Sequence, residues 1–395
     1  MKCFLKDLIS VSKDGEWGKG DPFDESVEMF AIRGTDFEDI RYGSTASTPR
    51  RYIAKRHAEK KILQPWDVII EAAGGTKNQI TGRTVLLRPE LFDRSELPFT
   101  CASFSRFIRF NTELCAPEFM FWYLQHLYAA GLMHAYHTQH TGVARFQWTT
   151  FSEREPLDLP PLPIQRRIAG ILSAYDELIE NSQRRIKILE SMARGLYREW
   201  FVHFRFPGHE SVPRVPSPLG EIPKGWEVKK LGEVVELNYG KALKKEDRCD
   251  GDFPVFGSSG IVGTHDEALV KGPGIIVGRK GNVGSVFWCD EDFFVIDTAY
   301  FVTSSLPLRF LFYVLPRLNF INSDAAVPGL SRNQAYTLEL LIPPDSLLEN
   351  FCELAGAFER QAAKLQRQIQ NLRRTRDLLL PRLLSGQIDV EAIGL

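Results

Sequence analysis

The sequence has no close pair of cysteines, no long apolar run and no excess of one charge. Its six cysteines are scattered, without a Cys-x-x-Cys pair, which argues against a zinc site or a disulfide framework and fits reduced thiols in a cytoplasm. No apolar run approaches the roughly 20 residues that span a bilayer, and the N-terminal residues lack the apolar core of a signal peptide. We therefore expect a cytoplasmic protein without a membrane partner.

Charge and size give little further direction. Lys and Arg number 49 and Asp and Glu number 50, so the net charge of -1 indicates no partner, and only local charge clusters can do so. The 395 residues suffice for two or three globular units, each with its own core.

An internal repeat organises the chain. Residues 157–201 align without a gap on residues 340–384, and both copies carry a diproline in register. Apolar residues recur in steps of three and four in both copies, the pattern of a helix with a coiled-coil seam. A helix of roughly 40 residues is about 60 Å long. We expect the two helices to pack on each other in antiparallel orientation; two unrelated core helices are the alternative.

The segments that precede the two helices also resemble each other. Short strand patterns separated by glycine-rich turns, followed by a short apolar helix, indicate a mixed α/β unit in each half; the last strand pattern of the second half covers residues 293–302. An extended, proline-rich connector joins the halves. The predicted division is a first globular domain (1–161), a central long helix (162–205), the connector (206–225), a second globular domain (226–344) and a C-terminal long helix (345–388).

Four motifs in this order resemble specificity subunits of type I restriction-modification systems: LDLPPLPIQRRIAGILSAYDELIE, YREWFVHFRFPG, IPKGWEVKKLGEVVEL and LLPRLLSGQI. The resemblance covers essentially the whole chain. It implies an α/β fold in which two mixed α/β target-recognition domains are separated by two long antiparallel coiled-coil helices, as a pseudo-twofold internal repeat. The second helix copy departs from the family pattern at its start, where Leu348 falls on Gln165.

The resemblance further implies a non-catalytic subunit that recognises DNA. Each globular domain would read half of a bipartite site in double-stranded DNA. The helices would set the spacer and dock two methyltransferase subunits, with restriction or translocase subunits as optional further partners. No cofactor is expected in this chain, and S-adenosylmethionine would lie on the methyltransferase subunit. The alternative is a coiled-coil scaffold that binds protein without DNA readout.

Candidate DNA contacts are cations for phosphates and amide or guanidinium forks for base edges. They lie in a basic run (48–61), on two glycine-flanked tips (74–82 and 278–284), and in two segments that precede the last strand of each domain (140–148 and 327–334). The predicted DNA-binding residues, which include two lysines after Tyr239, are Arg50, Arg51, Lys55, Arg56, Lys77, Asn78, Gln79, Arg145, Gln147, Lys241, Lys244, Arg279, Lys280, Asn282, Arg332 and Asn333. Solvated polar loops are the alternative interpretation of these segments.

No catalytic or metal site is predicted. His134, His137 and His140 are spaced by three residues, which does not place all three on one helix face. The glycines at 74–82 lack the spacing of a phosphate-binding loop. The diproline segments lack the Asn/Asp-Pro-Pro-aromatic sequence of an amino-methyltransferase. A self-sufficient enzyme is therefore the weakest of the three hypotheses.

Overall fold

The computed structural model describes residues 2–74, 79–139, 143–320 and 329–392. Contacts divide the chain into two compact units, which we call unit 1 (Met1–Arg184 with Leu365–Leu395) and unit 2 (Arg185–Lys364). The two boundaries between the units, after residue 184 and after residue 364, each fall inside one of the two long helices. Each unit therefore contains a part of both helices. Within the described residues, none of the helices combines the length and the apolar character needed to cross a bilayer.

Unit 1 is built from short strands and helices. Its strands are β1 (Lys2–Phe4), β2 (Ile9–Asp14), β3 (Ser26–Ile32), β4 (Arg50–Ala54), β5 (Val68–Glu71), β6 (Ala73–Gly74), β7 (Thr84–Leu86), β8 (Phe99–Cys101), β9 (Ser105–Phe110), β10 (His137–Thr138), β11 (Ala144–Phe146) and β12 (Pro156–Asp158). Its helices are α1 (Phe37–Arg41), α2 (Lys55–Lys61), α3 (Pro89–Asp93), α4 (Pro117–Ala129), α5 (Trp148–Arg154) and the first part of α6 (Leu162–Tyr197).

Unit 2 continues the order along the chain. Its strands are β13 (Arg214–Ser217), β14 (Gly220–Pro223), β15 (Glu227–Lys230), β16 (Val235–Tyr239), β17 (Phe253–Gly257), β18 (Gly260–His265), β19 (Gly274–Gly278), β20 (Val286–Cys289), β21 (Phe294–Val295), β22 (Ala299–Ser304) and β23 (Glu339–Ile342). Its helices are α7 (Leu231–Val234), α8 (Leu308–Val314), α9 (Arg332–Tyr336) and the first part of α10 (Asp345–Leu384).

The two units repeat one strand order. In unit 1 the sheet β2-β9-β5-β7 is antiparallel throughout, and in the sheet β4-β3-β8 the strand β8 runs parallel to β3. In unit 2 the sheets β16-β22-β19-β20 and β18-β17-β21 show the same order and the same strand directions. The pairs β1-β12 and β15-β23 bring the first strand of each repeat beside its last. The internal repeat predicted from the sequence is therefore confirmed in the fold.

The central strands of both sheets are buried on two faces. In β5, Val68 and Ile70 point into the main core of unit 1, while Ile69 points into a second cluster on the opposite face. In β19, Ile275 and Ile276 divide between two clusters in the same way. A strand covered on both faces has a continuous apolar run rather than an alternating one, which explains the sequences VIIE and GIIVG.

The predicted strand at 293–302 is two strands in different sheets. β21 pairs with β17, and β22 pairs with β16 and β19. Between them the carbonyl of Thr298 accepts hydrogen bonds from the backbone N–H groups of Arg279 (2.9 Å) and Lys280 (3.0 Å). Both strands are apolar and buried, so the sequence pattern does not reveal the change of sheet.

The two long helices are antiparallel, as predicted. In unit 1, Ile168 of α6 shares an apolar core with Leu380 and Leu383 of α10. In unit 2, the ring of Phe201, just after α6, lies 4.9 Å from the ring of Phe351 in α10. Early residues of α6 thus pack with late residues of α10, and late residues with early ones. The seam of apolar side chains explains why both helices carry apolar steps of three and four.

Both helices end a few residues before their predicted limits. α6 ends at Tyr197 and is followed by a wider turn over Arg198–Val202 rather than reaching residue 205. Phe204 then adopts a left-handed conformation with φ of 58°. α10 ends at Leu384 rather than at residue 388, and Gly386, with φ of 71°, provides the left-handed residue that commonly follows a helix.

The segment at 206–225 is more ordered than the predicted extended connector. β13 and β14 form an antiparallel hairpin, and Gly220 has the positive φ of 96° that its tight turn requires. Phe206 and Ile222 are buried in the core of unit 2. The segment therefore packs as a part of unit 2. The division of the chain into five domains stays a prediction.

A buried carboxylate on α6 holds α10 and the globular part of unit 1 together. Asp176 accepts hydrogen bonds from Arg41 Nε (2.7 Å) and from Arg376 of α10, which also donates to the hydroxyl of Tyr42 (3.3 Å). Burial by itself lowers the pKa of Arg376, but the charge of Asp176 and the hydrogen bond with Tyr42 raise it above its ordinary value. The buried arginine is therefore charged and paired.

Glu180 makes a second ionic contact one turn further along α6. Its carboxylate accepts hydrogen bonds from Arg94 (3.0 Å), from Arg184 (2.6 Å) and from Arg88. Burial raises the pKa of the Glu180 carboxyl group, but these three hydrogen bonds lower it more, so its pKa lies below its ordinary value. α6 is thus fixed to unit 1 by two adjacent carboxylates.

Replacement of Asp176 by alanine tests the first contact. Asp176→Ala leaves the buried Arg376 without its counter-charge, and we expect a loss of about 3–5 kcal/mol of unfolding free energy in urea. The matched control is Glu190→Ala, which removes an exposed carboxylate of α6 paired with Arg194 at 3.3 Å. An exposed pair of this kind contributes about 0.3–0.5 kcal/mol. Equal effects of the two variants would contradict the importance of the buried contact.

The second contact predicts a pH dependence. A carboxyl group with a depressed pKa in the folded state stabilises the protein fully above its unfolded pKa, about 4.3, and progressively less as the pH falls through the folded value. We therefore expect wild type to exceed Glu180→Gln in unfolding free energy by a constant amount above about pH 5. This difference should shrink below about pH 4. Urea midpoints measured from pH 3 to pH 7 check this, and a difference independent of pH would refute it.

Candidate nucleic-acid interface

In unit 2, two segments that are far apart in the sequence meet at the end of β19. Residues 279–285 form the tip between β19 and β20. The backbone N–H of Leu330 donates to the carbonyl of Arg279 (2.7 Å), and Lys280 pairs with Gly329. The sequence identified the tip and the segment before α9 as separate candidates, and the structure joins them into one surface.

Unit 1 contains the same junction. The backbone N–H of Phe146 donates to the carbonyl of Ala72 (2.9 Å), and Arg145 of β11 pairs with Ala73 of β6. Arg145 is exposed on this short strand. The tip between β5 and β7 therefore lies beside the segment before α5, as in unit 2.

Backbone hydrogen bonds define which residues of the two tips are equivalent. The carbonyl of Phe104 accepts from the N–H of Ala72 (2.8 Å) and of the next residue (3.0 Å). The carbonyl of Thr298 accepts from Arg279 (2.9 Å) and from the next residue (3.0 Å). Ala72 and Arg279 are therefore equivalent, as are Phe104 and Thr298.

The sequence treats the two tips as corresponding segments without pairing their residues, and these hydrogen bonds supply the pairing. Lys77 and Asn78 lie outside the described residues. Matching hydrogen bonds close the two tips, from Gly82 N–H to the carbonyl of residue 71 and from Gly284 N–H to the carbonyl of residue 278. The tip of unit 1 is therefore longer, and a comparison of loop composition cannot assign residue pairs.

Three side chains form a cationic and aromatic stack on the unit 2 junction. The guanidinium groups of Arg279 and Arg332 lie 4.8 Å and 4.9 Å from the ring centre of Tyr239, within the range of cation–π attraction. Tyr239 is 48% exposed. One terminal nitrogen of Arg279 donates to the carbonyl of Asp297 (3.0 Å), and one of Arg332 donates to the carbonyl of Leu237 (3.3 Å). Both guanidinium groups are thus oriented by the backbone.

A buried tyrosine lies beside this stack on the neighbouring strand. Tyr300 pairs with Tyr239 across β16 and β22, and its hydroxyl donates to the carbonyl of Leu330 (3.2 Å). Burial and the hydrogen bond with Tyr239 raise the pKa of Tyr300. The phenol therefore stays protonated and acts as a fixed donor that connects the sheet to the segment before α9.

Other predicted residues of unit 2 lie at exposed positions on the same segments of the chain. The backbone N–H of Lys241 donates to the carbonyl of Val295 (2.9 Å), which fixes the chain directly after Tyr239. The remaining exposed candidates on the tip, on α9 or after β16 are Lys244, Lys280, Asn282 and Asn333.

The basic run of unit 1 lies on another sheet. Arg50 and Arg51 belong to β4 of the sheet β4-β3-β8, and Lys55 and Arg56 begin α2. Arg51 lies over the ring of Trp17 (4.5 Å) and donates to the carbonyl of the same residue (3.0 Å), so its guanidinium has a structural role. Arg50, Lys55 and Arg56 are exposed.

Two further candidates of unit 1 flank its junction. Gln79 is exposed near the end of the tip, and Gln147 is exposed directly before α5. The role of all sixteen candidates in DNA binding stays a prediction.

The sequence did not identify several side chains of the two junctions. In unit 1, Arg106 forms an ion pair with Asp14 (2.7 Å) and lies over the ring of Trp148 (5.6 Å), while Phe104 is 58% exposed. In unit 2, Tyr239 was noticed only as the neighbour of lysines. A large aromatic residue at a strand end, as Tyr239, or in the turn before a strand, as Phe104, is the signal that could have found them.

One group of the described residues has metal-ligand chemistry. Side-chain ligand atoms of Cys249, His265 and Asp266 lie within 4.8 Å of one another. His265 Nδ1 accepts a hydrogen bond from the backbone N–H of Cys249 (3.3 Å). Among the histidines considered from the sequence, His137 Nδ1 accepts from the N–H of Thr81 (3.2 Å), and His140 lies outside the described residues. That the chain binds no metal stays a prediction.

Comparison with known proteins gives one consistent result. The model of the family described as "Type I restriction modification DNA specificity domain" matches residues 52–191 and 223–346. The type I restriction enzyme MjaIX specificity subunit of Methanocaldococcus jannaschii is 27% identical over 312 residues, which are 69% of this chain and 70% of that protein. The MjaVIII specificity subunit of the same organism is 26% identical over 301 residues, 65% of this chain and 67% of that protein.

A solved structure has a similar fold along the whole chain. The S subunit of a type I restriction-modification system from M. genitalium superposes with a TM-score of 0.57 at 16% identity. The match covers 97% of this chain and 95% of that chain. Two mixed α/β repeats with two long helices are therefore a fold that this chain shares with a solved S subunit.

The close packing of the unit 2 tip predicts the effect of a single methyl group. A Cβ atom on Gly278 would lie 2.1 Å from the carbonyl oxygen of Asn282 and 2.3 Å from Ser285 Oγ. We expect Gly278→Ala to lower the unfolding free energy by about 1–3 kcal/mol, because the tip must move. The control is Gly195→Ala on α6, where an added Cβ atom would meet no atom of a neighbouring part of the chain within 4 Å. This variant should raise the unfolding free energy by about 0.5–1 kcal/mol. Urea denaturation of both variants measures this; an unchanged midpoint for Gly278→Ala would show that the tip adapts freely.

Proposed function

Because the chain belongs to the type I restriction modification DNA specificity domain family, we propose that each of its units reads one half of a bipartite DNA sequence for a type I restriction-modification complex. One observation carries this proposal. The two units repeat the same sheets and the same loop junction, but Ala72 and Arg279 occupy equivalent positions. A repeated scaffold with different side chains at equivalent loop positions is what two readers of different half-sites require.

Exposed cations next to the junctions support contact with phosphates. Lys241 and Lys280 of unit 2 are exposed close to Tyr239 and Arg279 in the sequence, and Arg145 of unit 1 is exposed on β11. Contacts to phosphates supply affinity and orientation, and base contacts supply sequence preference. The combination of a fixed guanidinium stack with exposed lysines provides both kinds of contact in unit 2.

The long helices would set the spacer between the half-sites. α6 has 36 residues and α10 has 40 residues. At about 1.5 Å per residue they extend over roughly 54 Å and 60 Å, which exceeds the ~34 Å between successive turns on one face of a duplex. Paired helices of this length are stiff, whereas a flexible linker would allow many spacers.

The same helices would bind the methyltransferase subunits. Apolar side chains on both helices are exposed, with Leu178 at 54% and Ile188 at 53% on α6, and Leu354 at 45% and Leu378 at 57% on α10. Single exposed apolar residues are common on protein surfaces, so the family membership carries this part of the proposal and these four residues are its candidate contacts. We propose two methyltransferase subunits, one for each half of the repeat, with S-adenosylmethionine bound to them and the chemistry carried out by them.

Mapping of methylated adenines tests this function directly. In a host with and without the gene, one bipartite motif should be methylated only when the gene is present. A scaffold that binds only protein would leave the set of methylated motifs unchanged. That result, together with binding of the assembled complex to DNA that does not weaken steeply with salt, would favour the scaffold.

The phosphate contacts predict a change in salt dependence. For Lys241→Ala, assembled with its methyltransferase subunits, the slope of log affinity against log salt concentration should fall by about 0.9, because one phosphate contact is lost. The order of preference among DNA sequences should stay the same. Lys224→Ala removes an exposed lysine beside the β13-β14 hairpin and serves as the matched control with an unchanged slope. Equal slopes for the two variants would exclude Lys241 as a phosphate contact.

A further inference from the structure

The equivalence of the two junctions extends to a second pair of positions. Asp14 ends β2 and pairs with Arg106, and Tyr239 ends β16 and pairs with Tyr300. A glycine follows in each unit. The N–H of Gly15 donates to the carbonyl of Ser105 (2.9 Å), and the N–H of Gly240 donates to the carbonyl of Ala299 (3.3 Å). Asp14 and Tyr239 therefore occupy the same place in the repeated sheet.

A third pair of positions lies at the start of the short helix beside each tip. Phe146 and Leu330 donate to the carbonyls of the equivalent tip residues, and the helices α5 and α9 begin two residues later. Their first residues are Trp148 and Arg332. The unit 1 positions are therefore occupied by a carboxylate, a methyl group and an indole, and the unit 2 positions by a phenol and two guanidinium groups. The equivalent sets are Asp14, Ala72 and Trp148 in unit 1, and Tyr239, Arg279 and Arg332 in unit 2.

We propose that these three equivalent positions determine which bases each unit reads, and that Arg279 and Arg332 recognise guanine in the half-site of unit 2. The inference rests on the proposed function and names the residues that would carry its specificity. An arginine fork fits the O6 and N7 acceptors of guanine, the commonest specific contact in the major groove. A general role in phosphate binding does not explain the positions, because unit 1 has no cation at any of its three.

The stack in unit 2 suits base recognition more than phosphate contact. Each guanidinium is held both by the ring of Tyr239 and by a backbone carbonyl, at 3.0 Å for Arg279 and 3.3 Å for Arg332. A fork with a fixed plane loses little conformational entropy on binding and discriminates by geometry, whereas a lysine acts as a mobile point charge. The arginines are therefore oriented before DNA arrives.

Unit 1 presents the opposite charge at the same place. The carboxylate of Asp14 is 65% exposed although it pairs with Arg106 at 2.7 Å. Arg106 also donates to Ser12 Oγ at 3.1 Å, which holds the pair against the sheet. An aspartate in a DNA groove accepts a hydrogen bond from the N4 amino group of cytosine. The two units would consequently prefer different bases with one scaffold.

Conservative variants of unit 2 test the inference while they preserve charge. Arg279→Lys and Arg332→Lys, each assembled with its methyltransferase subunits, are compared with wild type on duplexes that carry every single substitution of the methylated motif. We expect each variant to lose roughly 5- to 150-fold of discrimination at one G·C pair in one half-site. The other half-site should be read as before. Arg214→Lys changes an arginine stacked over Phe204 at 5.4 Å in the hairpin and is the matched control.

A variant of unit 1 tests the equivalent position. Asp14→Asn should alter base preference in the half-site that the two arginine variants leave unchanged. Altered preference in opposite halves supports the inference. Unchanged discrimination in Arg279→Lys and Arg332→Lys, an effect of Asp14→Asn in the same half as theirs, or a half-site without a G·C pair would each overturn it.

The two levels of the proposal fail in different ways. A wild-type complex without any sequence preference would remove the proposed function itself. A wild-type complex that reads a bipartite motif, with variants that read the same motif equally well, would remove only the assignment of these positions.

Discussion

The architecture depends on a buried ionic contact that joins the two long helices to the globular part of unit 1. Asp176 of α6 is surrounded by Arg41, from unit 1, and Arg376, from α10, and both members of the Asp176–Arg376 pair are only 7% exposed. An apolar seam alone allows two helices to slide by one turn, because similar side chains recur along it. A paired charge has one partner position, so it fixes the register of α10 against α6. The spacer that the two helices are proposed to set between the half-sites depends on this fixed register.

The two units share their backbone arrangement and differ in the side chains at their tips. Strand order, strand direction and the hydrogen bonds at the tips are the same in both units, because they use the backbone. The side chains at the tips differ, with Ala72 in one unit where Arg279 stands in the other. Loop positions on a rigid sheet tolerate such changes without loss of the core. A protein that reads two different half-sites can therefore use one fold twice.

Much of the architecture was predictable from the sequence. The two helices were predictable because their apolar steps extend over roughly 40 residues, far longer than a chance pattern. The candidate site was predictable only as segments. Arg279 and Arg332 were selected in separate loops, and nothing in the sequence indicated that both lie over the ring of Tyr239. The tips differ in length, so residue equivalence could be assigned only from the hydrogen bonds of Phe104 and Thr298.

The sequence by itself determined the repeat and the mixed α/β character of both units, and it predicted the antiparallel packing of the helices, because periodicity and self-similarity are properties of the order of residues along the chain. The tertiary structure decided which side chains share a surface. Tyr239, Arg279 and Arg332 converge because β16 and β19 both flank β22 and the segment before α9 pairs with the tip after β19, although the chain separates these residues by tens of positions. It also decided that residues 206–225 pack into unit 2, since the burial of Phe206 and Ile222 depends on a core formed by distant strands.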